Sequence, residues 1–445
     1  MKRFFAFMLC AALLSGVFVL PVNATEPCDC GEVVQVFLDG FGGPLFYNQG
    51  LPDQRRTGLI ETDNLTVPIL KMLGWLGLSA ILPFSGKLFA KGVTKLLFGL
   101  MGHLRMDEQG RSIQPISNNW RIDKAKDHTQ SPEYWFDYDW RICPFEAAAQ
   151  LHAFIEELCE HTGHNKVALT GFSEGSSVAM TYISEYGTDR LGTLIIANGA
   201  WQGVTLVGEL LTKQVALSGK SVTQYLACLP DESGWLAPSM KVLQALHLLD
   251  FVKPLAWGIV KFAGDPLYEQ ALIPLFCQMP AVWAFVPPEY YADARELIAG
   301  QAKYETLLTK IDKYHNEVQL EAKNLLLQAK EDGVKIAIVC GYGHAPIPAT
   351  KAQDYHCDNL IDTARASGGA TVAPYGKMLA CGEPGYLSPD GIIDASTCLF
   401  PDYTWFMKGL IHEHGPTWAL RKWVINFDGQ PTIHDSQDFP QFLVK

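Results

Sequence analysis

The chain has 445 residues, 48% of them hydrophobic, and a formal net charge of −12. That length and apolar content fit one large α/β domain with insertions or two ordinary domains. The acidic balance argues against a nucleic-acid partner and against electrostatic attraction to an anionic membrane, so any lipid contact should be apolar.

The chain opens on "MKRFFAFMLCAALLSGVFVLPVNAT". Lys2 and Arg3 precede an apolar run, Phe4 to Leu20, and Val22-Asn23-Ala24 supplies a small residue before a cleavage point. Residues 1–24 therefore read as a secretory signal, and the mature protein is expected to be secreted or extracytoplasmic. Of eleven cysteines, Cys10 lies in this leader. That leaves Cys28, Cys30, Cys143, Cys159, Cys228, Cys277, Cys340, Cys357, Cys381 and Cys398. An even number in an exported chain predicts disulfides, with the pairing left open. No Cys-x-x-Cys pair occurs and Cys28-Asp29-Cys30 stands alone, so no metal site is expected.

Val33 to Leu38 is a short apolar run rich in β-branched residues, closed by a glycine cluster, which predicts a buried strand and a tight loop. Leu65 to Met101 is apolar but interrupted by Pro68, Lys71, Pro83 and Lys87, so packed helix is expected rather than a membrane span. Tyr134 to Tyr138 suggests a strand. From Phe145 the apolar positions Ala148, Leu151, Phe154, Ile155 and Leu158 recur at helical spacing. Val167 to Thr170 reads as strand, Val178 to Tyr186 as helix, and "LGTLIIANGA" as strand. Between Gln202 and Asp332 helical patterns dominate, and the sheet resumes at Val334 to Gly343. Alternating strands and helices predict a mostly parallel sheet covered on both faces. The expected division is a core over 25–201 and 333–445 with a helical cap over 202–332.

"VALTGFSEG" places Gly171-Phe172-Ser173-Glu174-Gly175 between a strand and a helix. In that setting a serine sits on a sharp turn with its hydroxyl raised above the sheet. The two glycines remove Cβ atoms that would collide there.

With this stretch the chain resembles an α/β-hydrolase, and more narrowly the lipases related to lecithin–cholesterol acyltransferase and lysosomal phospholipase. "FDYDWR" (136–141) is similar to that family's Pro-Tyr-Asp-Trp-Arg stretch, and "VALTGFSEG" to its elbow. "QMPAVWAFVPPEYY" (278–291) is similar to its proline-aromatic cap, and "SPDGIIDAST" (388–397) to its Asp-Gly-x-Val motif. The resemblance implies an α/β-hydrolase fold with a mostly parallel sheet, flanking helices and a helical cap. It implies a triad in the chain order Ser, Asp, His. Ser173 is the expected nucleophile and Asp390 the expected acid, with Asp394 as competitor. The base is expected at His412, which closes the apolar run Trp405 to Ile411, with His414 and His434 as alternatives.

Two backbone N–H groups must hold the oxyanion. The resemblance implies Phe41, after the first glycine of "LDGFGG", and Glu174, after the nucleophile. The family usually carries histidine at the place of Asp39 and an uncharged residue at that of Glu174. The Glu174 carboxylate must either turn to solvent or a cation and stay ionised at its helix start, or be protonated during turnover; the first is expected. The aromatic residues Trp257, Trp283, Phe285, Tyr290 and Tyr291 are either core or part of a lipid pocket. No dinucleotide, phosphate or metal motif appears, so no cofactor is implied. The expected activity is hydrolysis of carboxylic esters, with lipid or small ester substrates and transient contact with a lipid surface. An acyltransferase with the same triad and a non-catalytic exported binding protein are the alternatives.

Overall fold

The computed structural model describes residues 27–60, 86–216, 218–228, 264–412 and 418–445. The leader at 1–24, residues 65–85 of the apolar stretch, Trp257 and His414 lie outside these.

Seven described strands form one parallel sheet. They are β1 (Gln35–Leu38), β2 (Glu133–Phe136), β3 (Val167–Phe172), β4 (Leu191–Ala197), β5 (Lys335–Tyr342), β6 (Thr404–Lys408) and β7 (Phe442–Val444). Their spatial order is β7-β6-β5-β4-β3-β1-β2, with Leu38 beside Gly171 and Gly171 beside Ile196.

Side chains alternate across a strand, so a sheet buried on both faces needs apolar residues at every position. Leu169, Leu194, Ile196, Ile336, Ile338 and Phe406 feed the larger core. Their neighbours Ala168, Ile195, Ala337, Val339, Trp405 and Met407 feed a second cluster on the other face.

Helix α1 (Pro144–Thr162) covers the larger core with Leu151, Phe154, Ile155 and Leu158. It starts on a proline, whose missing N–H costs nothing there, and ends at Gly163 in the left-handed region, φ 73°. Helix α2 (Gly175–Tyr186) follows β3 directly. Helix α3 (Trp418–Asn426) closes the second face with Leu420, Val424 and Ile425. This parallel sheet flanked by helices, with a strand–elbow–helix unit at β3–α2, has the α/β-hydrolase architecture.

Between Gln202 and Asp332 the described elements are helical, among them Thr205–Leu211, Pro280–Phe285, Pro288–Arg295, Glu305–Tyr314 and Ala322–Glu331. Trp283 and Tyr291 are buried with Leu211, Cys277, Leu307 and Ile311 in a separate cluster. These two aromatics are therefore core. Of the described helices, none is long and apolar enough to cross a membrane.

The ten cysteines after the leader all carry free thiols, so the expected disulfides are absent. Cys28 and Cys30 face His128 and His164 rather than forming a bridge. Cys159, Cys340 and Cys398 sit in the larger core as small apolar groups, and burial raises all three thiols, Cys159 to about 11.

Candidate active site

Ser173 stands at the C-terminal end of β3 with φ 53°, a conformation most non-glycine residues avoid. The surrounding hydrogen bonds fix it there. Its N–H donates to the Ala197 carbonyl at 3.1 Å, and its own carbonyl accepts from the N–H groups of Ala200 and Ser176. A Cβ on Gly171 would stand 2.8 Å from the Gly175 carbonyl oxygen. One on Gly175 would stand 2.6 Å from the Leu38 carbonyl oxygen at the end of β1. Both positions demand glycine.

His412 follows β6, and its Nε2 lies 2.9 Å from Ser173 Oγ. Its Nδ1 lies 2.7 Å from Asp358 Oδ2. The Phe172 ring packs against the imidazole with centroids 5.1 Å apart. The other Asp358 oxygen accepts from the N–H groups of Leu360 and Ile361, at 3.0 and 2.8 Å. The Asp358 carbonyl accepts the backbone N–H of His412 at 2.7 Å. Asp358 is therefore held by its own loop and by the segment that carries His412.

This geometry corrects the choice of Asp390. The Asp390 carboxylate pairs with Lys408 Nζ at 2.9 Å and accepts from Ser388 Oγ at 2.7 Å and Tyr342 OH at 3.3 Å. Burial pushes its carboxyl up, but the bonds from Ser388 and Lys408 outweigh that and hold it below the usual range. It pins its loop to β6. Asp394 turns inward on its own loop, accepting from Ser396 and from the Glu383 N–H. Asp358, not Asp390, is the carboxylate next to His412, and Ser173, Asp358 and His412 follow the expected chain order Ser, Asp, His. The alternative base His434 approaches Asp402 at 3.7 Å instead.

The loop after β1 lies against the serine: a Cβ on Gly40 would be 2.7 Å from Ser173 Cβ and 3.0 Å from its Oγ. Phe41 is the next residue and Glu174 follows the serine. The stretch "YDW" acts on this loop from outside. Tyr138 OH donates to the Asp39 carbonyl at 3.0 Å and Trp140 Nε1 to the Gly43 carbonyl at 2.9 Å. The Phe41 ring packs on Trp140 at 4.1 Å and meets Phe285 edge-on at 5.6 Å. Arg141, fully buried, anchors this stretch through Asp139 at 2.6 Å and the carbonyls of Leu104 and Ile116. Nothing local in the sequence assigned these loop-holding roles.

Glu174 departs from expectation. It is 1% exposed, and its Oε2 has no hydrogen-bond partner among the described residues. Burial first, then the carboxylates of Asp139 and Asp39, push its carboxyl well above the usual range. Burial and the two neighbouring carboxylates thus favour its neutral form over its charged one. Asp39 remains exposed and caps the Gly40 N–H at 2.9 Å.

No family model matches the chain, and no curated protein matches it. Among solved structures, a chain of the Tle4–Tli4 complex is 12% identical with a TM-score of 0.25, over 69% of this chain and 74% of that one. An esterase from Thermogutta terrifontis is 14% identical with a TM-score of 0.17, over 51% of this chain and 98% of that one. An esterase from Exiguobacterium antarcticum is 14% identical with a TM-score of 0.16, over 45% and 83%. Overlaps this slight carry no argument about function.

Proposed function

We propose that the protein is an exported serine hydrolase that cleaves carboxylic esters, with Ser173, His412 and Asp358 as its triad. The observation that carries this reading is Ser173 Oγ 2.9 Å from an imidazole that is itself 2.7 Å from a buried carboxylate. A serine hydroxyl becomes a nucleophile when a histidine takes its proton, and a carboxylate fixes that histidine's tautomer and supports its cation.

In the proposed cycle His412 Nε2 accepts the Ser173 proton as Oγ bonds to the ester carbonyl carbon. The carbonyl oxygen takes up the negative charge and is held by the N–H groups of Phe41 and Glu174. His412 returns the proton to the departing alcohol, leaving an acyl-serine. Water then gives a proton to His412 and attacks the acyl carbon; His412 passes that proton to Ser173 Oγ as the acid leaves. The raised carboxyl of Glu174 favours a form that places no second negative charge beside the oxyanion. Asp358 keeps the proton on Nδ1 throughout.

Lipid esters are the favoured substrates. Phe41, in the loop against Ser173, packs on Trp140 and Phe285, and Phe172 packs on His412; the stretches "FDYDWR", the elbow and "QMPAVWAFVPPEYY" resemble those of lipases. A fourth, "SPDGIIDAST", no longer supplies the acid. Export rests on Lys2, Arg3 and the apolar leader.

A fluorophosphonate reacts only with an activated serine and provides the test. Wild type is expected to label on Ser173, and Ser173→Ala not at all. A folded wild-type protein that stays unlabelled, and cleaves no p-nitrophenyl ester, would exclude the enzyme reading in favour of a binding protein.

A further inference from the structure

We infer that Cys28, Cys30, His128 and His164 form a structural zinc site that clips the N-terminal segment to the end of the sheet far from Ser173. Their four ligand atoms lie within 4.8 Å of one another. Cys28 Sγ is 3.4 Å from His128 Nε2, and Cys30 Sγ is 3.4 Å from His164 Nε2. Tetrahedral zinc, with Zn–S of about 2.3 Å and Zn–N of about 2.0 Å, holds sulfur and nitrogen about 3.5 Å apart. The two imidazoles meet edge to face, with centroids 5.4 Å apart. Thiol–imidazole hydrogen bonds would account for the two close pairs taken separately. They give no reason for both pairs to converge on one point.

The topology explains the convergence. Cys28 and Cys30 precede β1, His128 precedes β2 and His164 precedes β3. These three strands are neighbours in the order β3-β1-β2, and all are parallel. Their entry loops therefore meet at the same end of the sheet. The Cys28 N–H donates to the carbonyl of Gly163, the residue before His164, at 3.0 Å. All four side chains are half-buried, partly shielded from water yet open to an incoming ion.

Two thiolates and two imidazoles suit zinc, and four protein ligands leave no position for substrate or water. Ser173 lies at the opposite end of β3, on the order of 20 Å away at the rise of a strand. The role is to hold the fold together, separate from ester chemistry.

The test uses the full chain, purified without a chelator or a histidine tag. Metal analysis after dialysis is expected to give one zinc per chain in wild type and below about a tenth in Cys30→Ser and His164→Ala. Adding Co2+ to the stripped wild type should give the intense visible bands of a tetrahedral thiolate site. Chelation should lower the unfolding temperature of wild type and leave that of Cys30→Ser unchanged, with fluorophosphonate labelling of the folded protein retained in both. The inference is overturned if reduced wild type takes up no zinc. It is equally overturned if zinc raises the unfolding temperature of His164→Ala as much as that of wild type. A Cys28–Cys30 disulfide in the isolated chain, with no zinc bound once it is reduced, would also overturn it.

Discussion

Asp358 meets His412 twice: its carboxylate lies 2.7 Å from Nδ1, and its carbonyl accepts the histidine's backbone N–H, also at 2.7 Å. The side-chain contact sets the tautomer and the backbone contact sets where the ring stands. Asp358→Asn preserves shape but offers an amide where a carboxylate is needed. We predict a fall in kcat of about 10⁴-fold, as for the loss of a triad carboxylate. Steady-state hydrolysis of a p-nitrophenyl ester measures it. A variant within tenfold of wild type would refute the assignment.

Asp390→Asn should leave kcat within a few-fold of wild type and lower the unfolding temperature. The Asp390 carboxyl is held below its ordinary 3.8 in the folded chain. Its contribution to stability is therefore present above that value and disappears as pH falls through the lower, folded value. Unfolding curves of wild type and variant should converge below about pH 3.8. A catalytic collapse without a stability change would restore Asp390 as the acid.

Trp140→Phe keeps a ring against Phe41 but removes the N–H that donates to Gly43. The loop carrying the Phe41 amide then loses one of its two outer ties. We predict a drop of about 10- to 100-fold in kcat with little change in KM, because the oxyanion is bound only in the transition state. Circular dichroism should show the fold intact. A change confined to KM would mean that Trp140 contacts substrate instead.

Glu174→Gln tests the buried carboxyl. In wild type the folded value is raised, so stability is fully present below the ordinary 4.5 and declines as pH climbs towards the folded value. The glutamine variant should lack that decline and gain stability over wild type at pH 8. If ionised Glu174 opposes the oxyanion, wild-type kcat should also fall over this range while the variant's stays level. Parallel pH–stability curves would place the charge of Glu174 in solvent after all.

Ser173 is 4% exposed, and Phe285 of the helical region touches Phe41. If this contact covers the serine, substrate entry needs it to open, a step an apolar surface would favour. We predict that hydrolysis of a long-chain ester rises sharply when the substrate passes from monomer to aggregate, and that Phe285→Ala blunts the rise. Smooth saturation through the aggregation point would point to a fixed pocket.

The strands were legible because burial on both faces forces unbroken apolar runs, as in Val167 to Leu169 and Leu194 to Ala197. Ser173 was legible because its turn is built from residues within two positions of it. His412 was legible as the polar end of an apolar run. Asp358 was not, since it lies in an irregular loop 54 residues before its histidine, and Asp390 with its adjacent Gly391 gave a stronger local pattern. The one hint was "DNLI", in which an aspartate is followed by N–H groups able to bind one of its oxygens. The Cys28-x-Cys30 pair is silent alone because its histidine partners lie 100 and 134 residues away. Glu174 misled because a helix start normally favours ionised carboxylates, and burial reversed that preference.

The absence of side chains at Gly40 and Gly175 ties two parts of the site into one mechanical piece. Gly175 lets α2 press on the end of β1, and Gly40 lets the loop leaving β1 press on Ser173. A methyl at either place displaces the same junction, so nucleophile and oxyanion donors shift together. Gly40→Ala and Gly175→Ala combined should therefore cost less than the sum of their separate losses, a coupling that a double-mutant cycle reads directly.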